Sequence, residues 1–144
     1  MNLIVFDLEW NIGYQPKTFL YHGTELTLRG EIIQIGAARI NDRGDVLDTF
    51  EVSLQKFLDW AGDDAELAEW GLDDVPVLKQ NLFLVGLDEN WPNRWYDLQR
   101  IFLQAYPRKE GEGLTLESVV DRLGIPKEEP FHNALDDALY TARV

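Results

Sequence analysis

Leu3-Ile4-Val5-Phe6-Asp7-Leu8-Glu9-Trp10 begins as a short apolar run, partly β-branched and aromatic, and turns acidic toward its end. Such a run suits a buried strand. Side chains alternate across a strand, so Asp7 and Glu9 share a face with Leu3 and Val5, while Ile4, Phe6 and Leu8 take the other. Both faces are apolar until Asp7, which places the strand inside a sheet covered on both sides, with its carboxylates at the C-terminal end. Ligands of open α/β sheets bind at such strand ends. Two carboxylates about 7 Å apart repel in a poorly solvated crevice unless a proton or cation intervenes, and a divalent metal answers that repulsion. Equally open at this level is a strand that simply emerges into water at Asp7.

Working outward, residues 11 to 30 contain Gly13, Pro16, Gly23 and Gly30 with little sustained period, which predicts a long loop with a ragged strand at Glu25 to Leu28. Glu31 to Ile40 is a second strand, closed by the turn Asn41-Asp42-Arg43-Gly44, and Val46 to Val52 a third, giving an antiparallel start. Ser53 caps a helix whose apolar stripe is Leu54, Phe57, Leu58 and Ala61 and which ends near Gly62. Ala65 to Trp70 fits either a helix or a short strand. Asp73 to Val85 is a helix that tolerates Pro76 in its first turn and turns Val77, Leu78, Leu82 and Val85 inward. Trp95 to Leu98 reads as a strand leading into a helix through Ala105, followed by a polar linker from Pro107 to Gly113. Thr115 caps a helix with Leu116, Val119, Val120 and Leu123 on one face, stopped by Gly124 and Pro126. The last helix runs from Asn133 to the end with Leu135, Ala138, Leu139 and Ala142 inward. A hairpin followed by strands interleaved with helices predicts an α/β fold, a mixed sheet flanked by helices.

The chain has 144 residues, 45% of them hydrophobic, and this predicts a single domain over 1–144. No Cys is present, which excludes disulfide scaffolds, thiolate metal sites and cysteine nucleophiles, and the two His would leave any zinc site dependent on carboxylates. A hard, oxygen-bound metal is the expectation. An early acid and the absence of an 18-residue apolar run argue against a signal peptide and a membrane span, so a soluble cytoplasmic protein is expected. The net charge of -13 repels phosphate backbones in bulk, so a nucleic-acid substrate would have to be gripped locally.

A second constellation is Phe131-His132-Asn133-Ala134-Leu135-Asp136-Asp137-Ala138. Asp136 follows His132 by four residues and would share its face, whereas Asp137 points nearly opposite the apolar stripe, unless His132 precedes the first turn and breaks that phase. Periodicity does not choose between the two acids.

Ile4-Val5-Phe6-Asp7-Leu8-Glu9, then Glu31-Ile32-Ile33-Gln34-Ile35-Gly36-Ala37, Trp70-Gly71-Leu72-Asp73-Asp74, and finally His132-Asn133-Ala134-Leu135-Asp136-Asp137 resemble, in order and spacing, the three motifs of the DEDDh (DnaQ-like) 3′-to-5′ exonucleases. The resemblance is strongest to the histone-mRNA and small-RNA trimming and sporulation-inhibitor-like subgroup, where Trp-Gly precedes the second motif. It implies a ribonuclease-H-like fold with a strand at Leu67 to Gly71. It also implies that Asp7, Glu9, Asp74 and Asp137 bind metal and that His132 is the general base. Asp73 and Asp136 are the near-neighbour rivals, and Asp97 is a third candidate acid, at a position that in the family is structural rather than metal-binding.

The implied activity is 3′-to-5′ hydrolysis of single-stranded RNA or DNA, releasing 5′-nucleoside monophosphates. In the two-metal scheme four carboxylates hold two divalent ions, Mg²⁺ or Mn²⁺, about 3.5–4 Å apart, and an imidazole titrating near 6.5 can take the proton of the attacking water. Trp10 and Leu8 are the candidates for contact with the terminal nucleotide, with a core role the other reading of Trp10. Arg94, Arg100, Arg108 and Lys109 form the densest basic stretch, either steering the strand or merely solvated.

Family members carry a longer segment between the third strand and the next helix, whereas here Phe50-Glu51-Val52-Ser53 passes directly into Leu54. That departure keeps open a second function, a catalytically impaired nuclease-like module that binds nucleic acid or protein. The haloacid-dehalogenase phosphatases also place Asp-x-acid after an apolar strand, but they use Asp in both places, and Glu9 with the terminal His-to-Asp motif argues against them.

Overall fold

A computed structural model of the chain describes residues 3–11, 17–28, 30–51, 54–108 and 110–144. Gly13 and Pro16 of the expected loop, Val52, the expected cap Ser53, and Lys109 lie outside the described residues. The elements run β1 (Leu3–Asn11), β2 (Thr18–Tyr21), β3 (Thr24–Thr27), β4 (Glu31–Ile40), β5 (Val46–Glu51), α1 (Leu54–Ala61), β6 (Glu66–Glu69), α2 (Asp74–Leu84), β7 (Trp95–Asp97), α3 (Leu98–Ala105), α4 (Leu116–Leu123) and α5 (Ala134–Arg143).

Five strands form one sheet in the order β5-β4-β1-β6-β7. Strand β4 is antiparallel to β1 and to β5, whereas β6 runs parallel to β1 and to β7. This is the mixed α/β sheet expected, with β1 at its centre. Because β1 is buried on both faces, its alternation divides the molecule. Ile4, Phe6 and Leu8 join Ile35, Ala37, Leu67, Phe57 of α1 and Val75, Leu78 and Leu82 of α2 in the larger core. The other side chains of the strands, Val5, Ala38 and Ala68, are likewise fully buried, as are Ala134 and Ala138 of α5.

Several expectations need correction. The loop read over 11 to 30 contains a hairpin, β2 paired antiparallel with β3. It lacks a core of its own and gains one from α2: Phe19 and Tyr21 lie 5.8 and 4.9 Å from the Phe83 ring. Ala65 to Trp70, open between helix and strand by pattern, holds the strand β6, in keeping with the strand the resemblance implies at Leu67 to Gly71. Val85, expected inward, is 62% exposed because α2 ends at Leu84. Leu123, read as an inward residue of α4, is also exposed, while Val119 and Val120 are buried. The inward stripe of α5 is Ala134, Ala138 and Thr141, whereas Leu135, Leu139 and Ala142 are only partly buried.

The alanine stripe of α5 is selected by Gly36. A Cβ there would lie 2.0 Å from the Ala134 carbonyl carbon and 2.0 Å from the Leu135 nitrogen. The first turn of α5 therefore rests against bare backbone of β4, an approach that only Gly on the strand and small residues on the helix permit. The alanine face, not the leucine face, meets the sheet. No described helix is long and apolar enough to cross a membrane.

Candidate functional site

Asp7 and Glu9 leave the central strand on the face covered by α5. Asp7 pairs with Gly36 across β4, and the register shifts just beyond Glu9, between Glu9 and Trp10. Such irregularities re-aim side chains and are common beside functional sites. Asp137 follows Ala134 by three residues and precedes Ala138, so it shares the inward stripe that Gly36 admits. The result is that single carboxylate oxygens of Asp7, Glu9 and Asp137 lie within 4.8 Å of one another. Asp137 is thus the final acid brought to the cluster. Asp136 turns elsewhere, lining a small depression with Glu128, Glu129 and Arg143.

His132 stands before α5 with a left-handed backbone, φ 72°, which breaks helical phase with Asp136. Its backbone N–H donates to Asp137 Oδ2 at 3.1 Å, fixing that carboxylate from the preceding turn. Asn133 caps the helix, its Oδ1 accepting from Leu135 and Asp136 N–H. The approach to His132 is pinned by Tyr140, whose hydroxyl accepts from Glu129 N–H at 2.9 Å and donates to its carbonyl at 2.7 Å. The Tyr140 ring also stacks on Phe131 at 4.6 Å. His132 is exposed.

Asp74 opens α2 and is 8% exposed, whereas Asp73 is exposed. It lies outside the 4.8 Å group, yet its charge acts on Asp7. Its backbone is held by a residue that the motif reading passed over. Glu69, at the end of β6 and 0% exposed, accepts from Asp74 N–H at 2.8 Å and from Val75 N–H at 3.2 Å. The only sequence signal for Glu69 was an acid ending a buried strand, one residue before Trp70-Gly71.

Crowded acids away from water hold their protons. Burial pushes Asp7 up to about 9, with Asp74, Asp137, Glu9 and Glu69 adding repulsion. Asp74 rises to about 8, chiefly through burial and then through Glu69 and Asp73, against a backbone hydrogen bond from Leu8. Glu69 rises to about 7, again by burial first, opposed by its two backbone hydrogen bonds. Burial raises Asp137 as well, while the His132 backbone bond and the His132 charge pull it down.

This donor set fits a hard divalent cation. It consists wholly of oxygens, it holds mutually repelling carboxylates, and Asp137 Oδ1 is buried without a hydrogen-bond partner. Asp97 takes no place in the cluster: its Oδ1 accepts from Arg100 N–H and caps α3, a structural position. Leu8, a candidate for contact with the terminal nucleotide, is only 3% exposed and lies in the core, and its backbone hydrogen bond goes to Asp74. Trp10 is half-buried; a Cβ at Gly30 would lie 2.2 Å from its Cδ1, so the indole occupies the space a larger residue would fill. Arg94 pairs with Glu66, which sits opposite Leu3 at the far end of β1 from the acids. Arg108 donates to the Glu112 carbonyl, and Arg100 is exposed on α3.

The Exonuclease family (RNase_T) matches residues 43–144, a stretch that includes Asp74, His132 and Asp137. Similar solved structures include that of a 3′-exonuclease in 3′-end specific recognition of a histone mRNA stem-loop. Its TM-score is 0.75 at 16% identity, with 98% of this chain and 78% of that one covered. The nuclease domain of 3′hExo, a DEDDh family member bound to rAMP, has a TM-score of 0.74 at 18% identity, covering 98% and 88%. Exonuclease I has a TM-score of 0.69 at 13% identity, covering 99% of this chain and 39% of that one. No curated protein sequence matches the chain. At these identities the likeness is one of fold, and the fold is the ribonuclease-H-like mixed sheet expected. By the family match over most of its length, the chain belongs to the Exonuclease family, with the fold of the DEDDh nucleases.

Proposed function

We propose that the protein is a divalent-metal-dependent 3′-to-5′ exonuclease that hydrolyses the terminal phosphodiester of single-stranded RNA or DNA and releases 5′-nucleoside monophosphates. The observation that carries this reading is the convergence of Asp7, Glu9 and Asp137 within 4.8 Å at the end of a central strand, in a chain of the Exonuclease family. Neighbours of the same fold that recognise an RNA 3′ end or hold rAMP support a nucleic-acid 3′ end as substrate.

Asp7, Glu9, Asp74 and Asp137 are the residues to hold two ions, Mg²⁺ or Mn²⁺, which when bound supply Lewis-acid stabilisation of charge on the phosphoryl oxygens. In this reading His132 is the general base that takes a proton from the attacking water. Trp10, next after the first pair of acids and partly buried against the core, is the aromatic residue to stack on the terminal base. Two divalent ions would cancel the charge of the four acids, which locally offsets the repulsion that a net charge of -13 imposes on a phosphate chain.

The test is digestion of 5′-labelled single-stranded RNA and DNA with Mg²⁺, with Mn²⁺ and with chelator, beside Asp7→Asn. A metal-dependent ladder shortening from the 3′ end, absent in the variant, is expected. Only two residues separate β5, ending at Glu51, from α1, starting at Leu54, and this favours the binding-module reading as the alternative. Intact oligomers together with retained metal binding would put that alternative first.

A further inference from the structure

The start of α2 is anchored in an unusual way. Its N-cap residue, Asp73, has a helical backbone, φ −101° and ψ −31°, and makes no side-chain cap hydrogen bond. The first N–H groups of a helix have no partner within it, and a local Ser, Thr, Asn or Asp normally takes them. Thr115, Asp97 and Asn133 do so for α4, α3 and α5. In α2 the N–H groups of Asp74 and Val75 go instead to one oxygen of Glu69, at 2.8 and 3.2 Å. Glu69 is the last residue of β6, and β6 pairs with the strand that carries Asp7 and Glu9. The cap therefore ties Asp74 to the sheet rather than to its own turn. Glu69 is 0% exposed and its Oε1 has no hydrogen-bond partner, so the carboxylate is kept buried at a cost that helix capping alone does not require.

We infer that Glu69 is the positioning residue of the site: it touches neither substrate nor metal, and it sets Asp74 against Asp7 and Glu9 by holding the start of α2 to β6. This rests on the metal-binding reading of the four acids. Supporting partners of metal ligands change metal affinity by about 10–100-fold when removed, and the same scale applies here.

The experiment titrates the purified full chain with Mn²⁺ alone, followed by calorimetry, with thermal unfolding measured in parallel. Glu69→Ala is expected to weaken Mn²⁺ binding by about 10–100-fold. Glu69→Gln keeps an oxygen acceptor for the two N–H groups and is expected to restore binding to within about threefold of the parent. Thr115→Ala removes a cap remote from the acids and should lower the melting temperature with Mn²⁺ binding unchanged. Parent-like binding in Glu69→Ala, Glu69→Gln as weak as Glu69→Ala, or an equal loss in Thr115→Ala would each overturn the inference. Asp7→Asn separates the two levels: Mn²⁺ binding that survives this change overturns the reading of the site itself.

Discussion

Replacing Gly36 by Ala adds one methyl group where β4 and α5 touch through their backbones. The new Cβ would lie 2.0 Å from the Ala134 carbonyl carbon, 2.0 Å from the Leu135 nitrogen and 2.3 Å from the Ala134 oxygen. Non-bonded carbon contacts settle at about 3.5–4.0 Å, so the first turn of α5 must retreat by about 1.5 Å. None of the obstructing atoms is the free end of a side chain, and rotation of a χ angle offers no escape. Asp137 rides on this turn three residues beyond Ala134 and moves with it, away from Asp7 and Glu9. A displacement of about 1 Å in a reacting constellation costs on the order of 10²-fold in rate. Overpacking of this kind destabilises by about 1–3 kcal/mol, and each kcal/mol corresponds to roughly 2–4 °C in a domain of this size. Gly36→Ala should therefore lower turnover of a 5′-labelled RNA oligomer by about 10²-fold while the protein remains folded with a modestly lowered melting temperature. Turnover within threefold of the parent would refute the reasoning, because the close approach at Gly36 would then not be what sets Asp137.

Asp7→Asn, Glu9→Gln, Asp74→Asn and Asp137→Asn should each abolish 3′-end trimming, whereas Asp136→Asn should leave it within a few-fold; full activity in Asp137→Asn would reverse the assignment of the final acid. In chelator, thermal stability should fall as pH rises from 5 to 9. Burial and mutual repulsion raise Asp7 from 3.8 to about 9 and Asp74 to about 8, so across that window the folded chain binds more protons than the unfolded one. Added Mg²⁺ should recover the loss most strongly at the alkaline end, and a melting temperature that climbs with pH in chelator would contradict this account. Trp10→Ala should raise KM for a single-stranded oligomer by about tenfold, the scale of a lost base-stacking contact, with Trp10→Phe retaining most of the affinity. An unchanged KM beside a lowered melting temperature would assign Trp10 to the core alone.

The motif residues were legible because their spacing is local. Asp7 and Glu9 are two apart on one strand, so alternation by itself places them together, and the burial of Ile4, Val5 and Phe6 follows from their apolarity. The choice between Asp136 and Asp137 was not legible from periodicity. Leu135 and Leu139 mark the most hydrophobic stripe of α5, yet Ala134, Ala138 and Thr141 face the sheet. A helix packed on a glycine selects its smallest face rather than its greasiest one. Of the β2–β3 hairpin only the second strand is legible, as the ragged strand at Glu25 to Leu28, for a related reason: the apolar face of the pair is completed by Phe83 of α2, far away in sequence. Glu69 was invisible because a glutamate that caps a helix from five residues upstream, across the end of a strand, matches no local capping pattern.

The sequence by itself determined the central strand, the mixed α/β architecture, the absence of thiol chemistry and the pair Asp7 and Glu9, since all of these follow from composition and from periods of a few residues. Periodicity left Asp136 and Asp137 open and the motif resemblance pointed to Asp137; only the tertiary structure brings an Asp137 oxygen to Asp7 and Glu9, puts Leu8 in the core, and gives the Asp74 N–H to Glu69. Those outcomes depend on how closely two backbones can approach at Gly36 and on where buried N–H groups find acceptors, and both are set by contacts between residues distant in the chain.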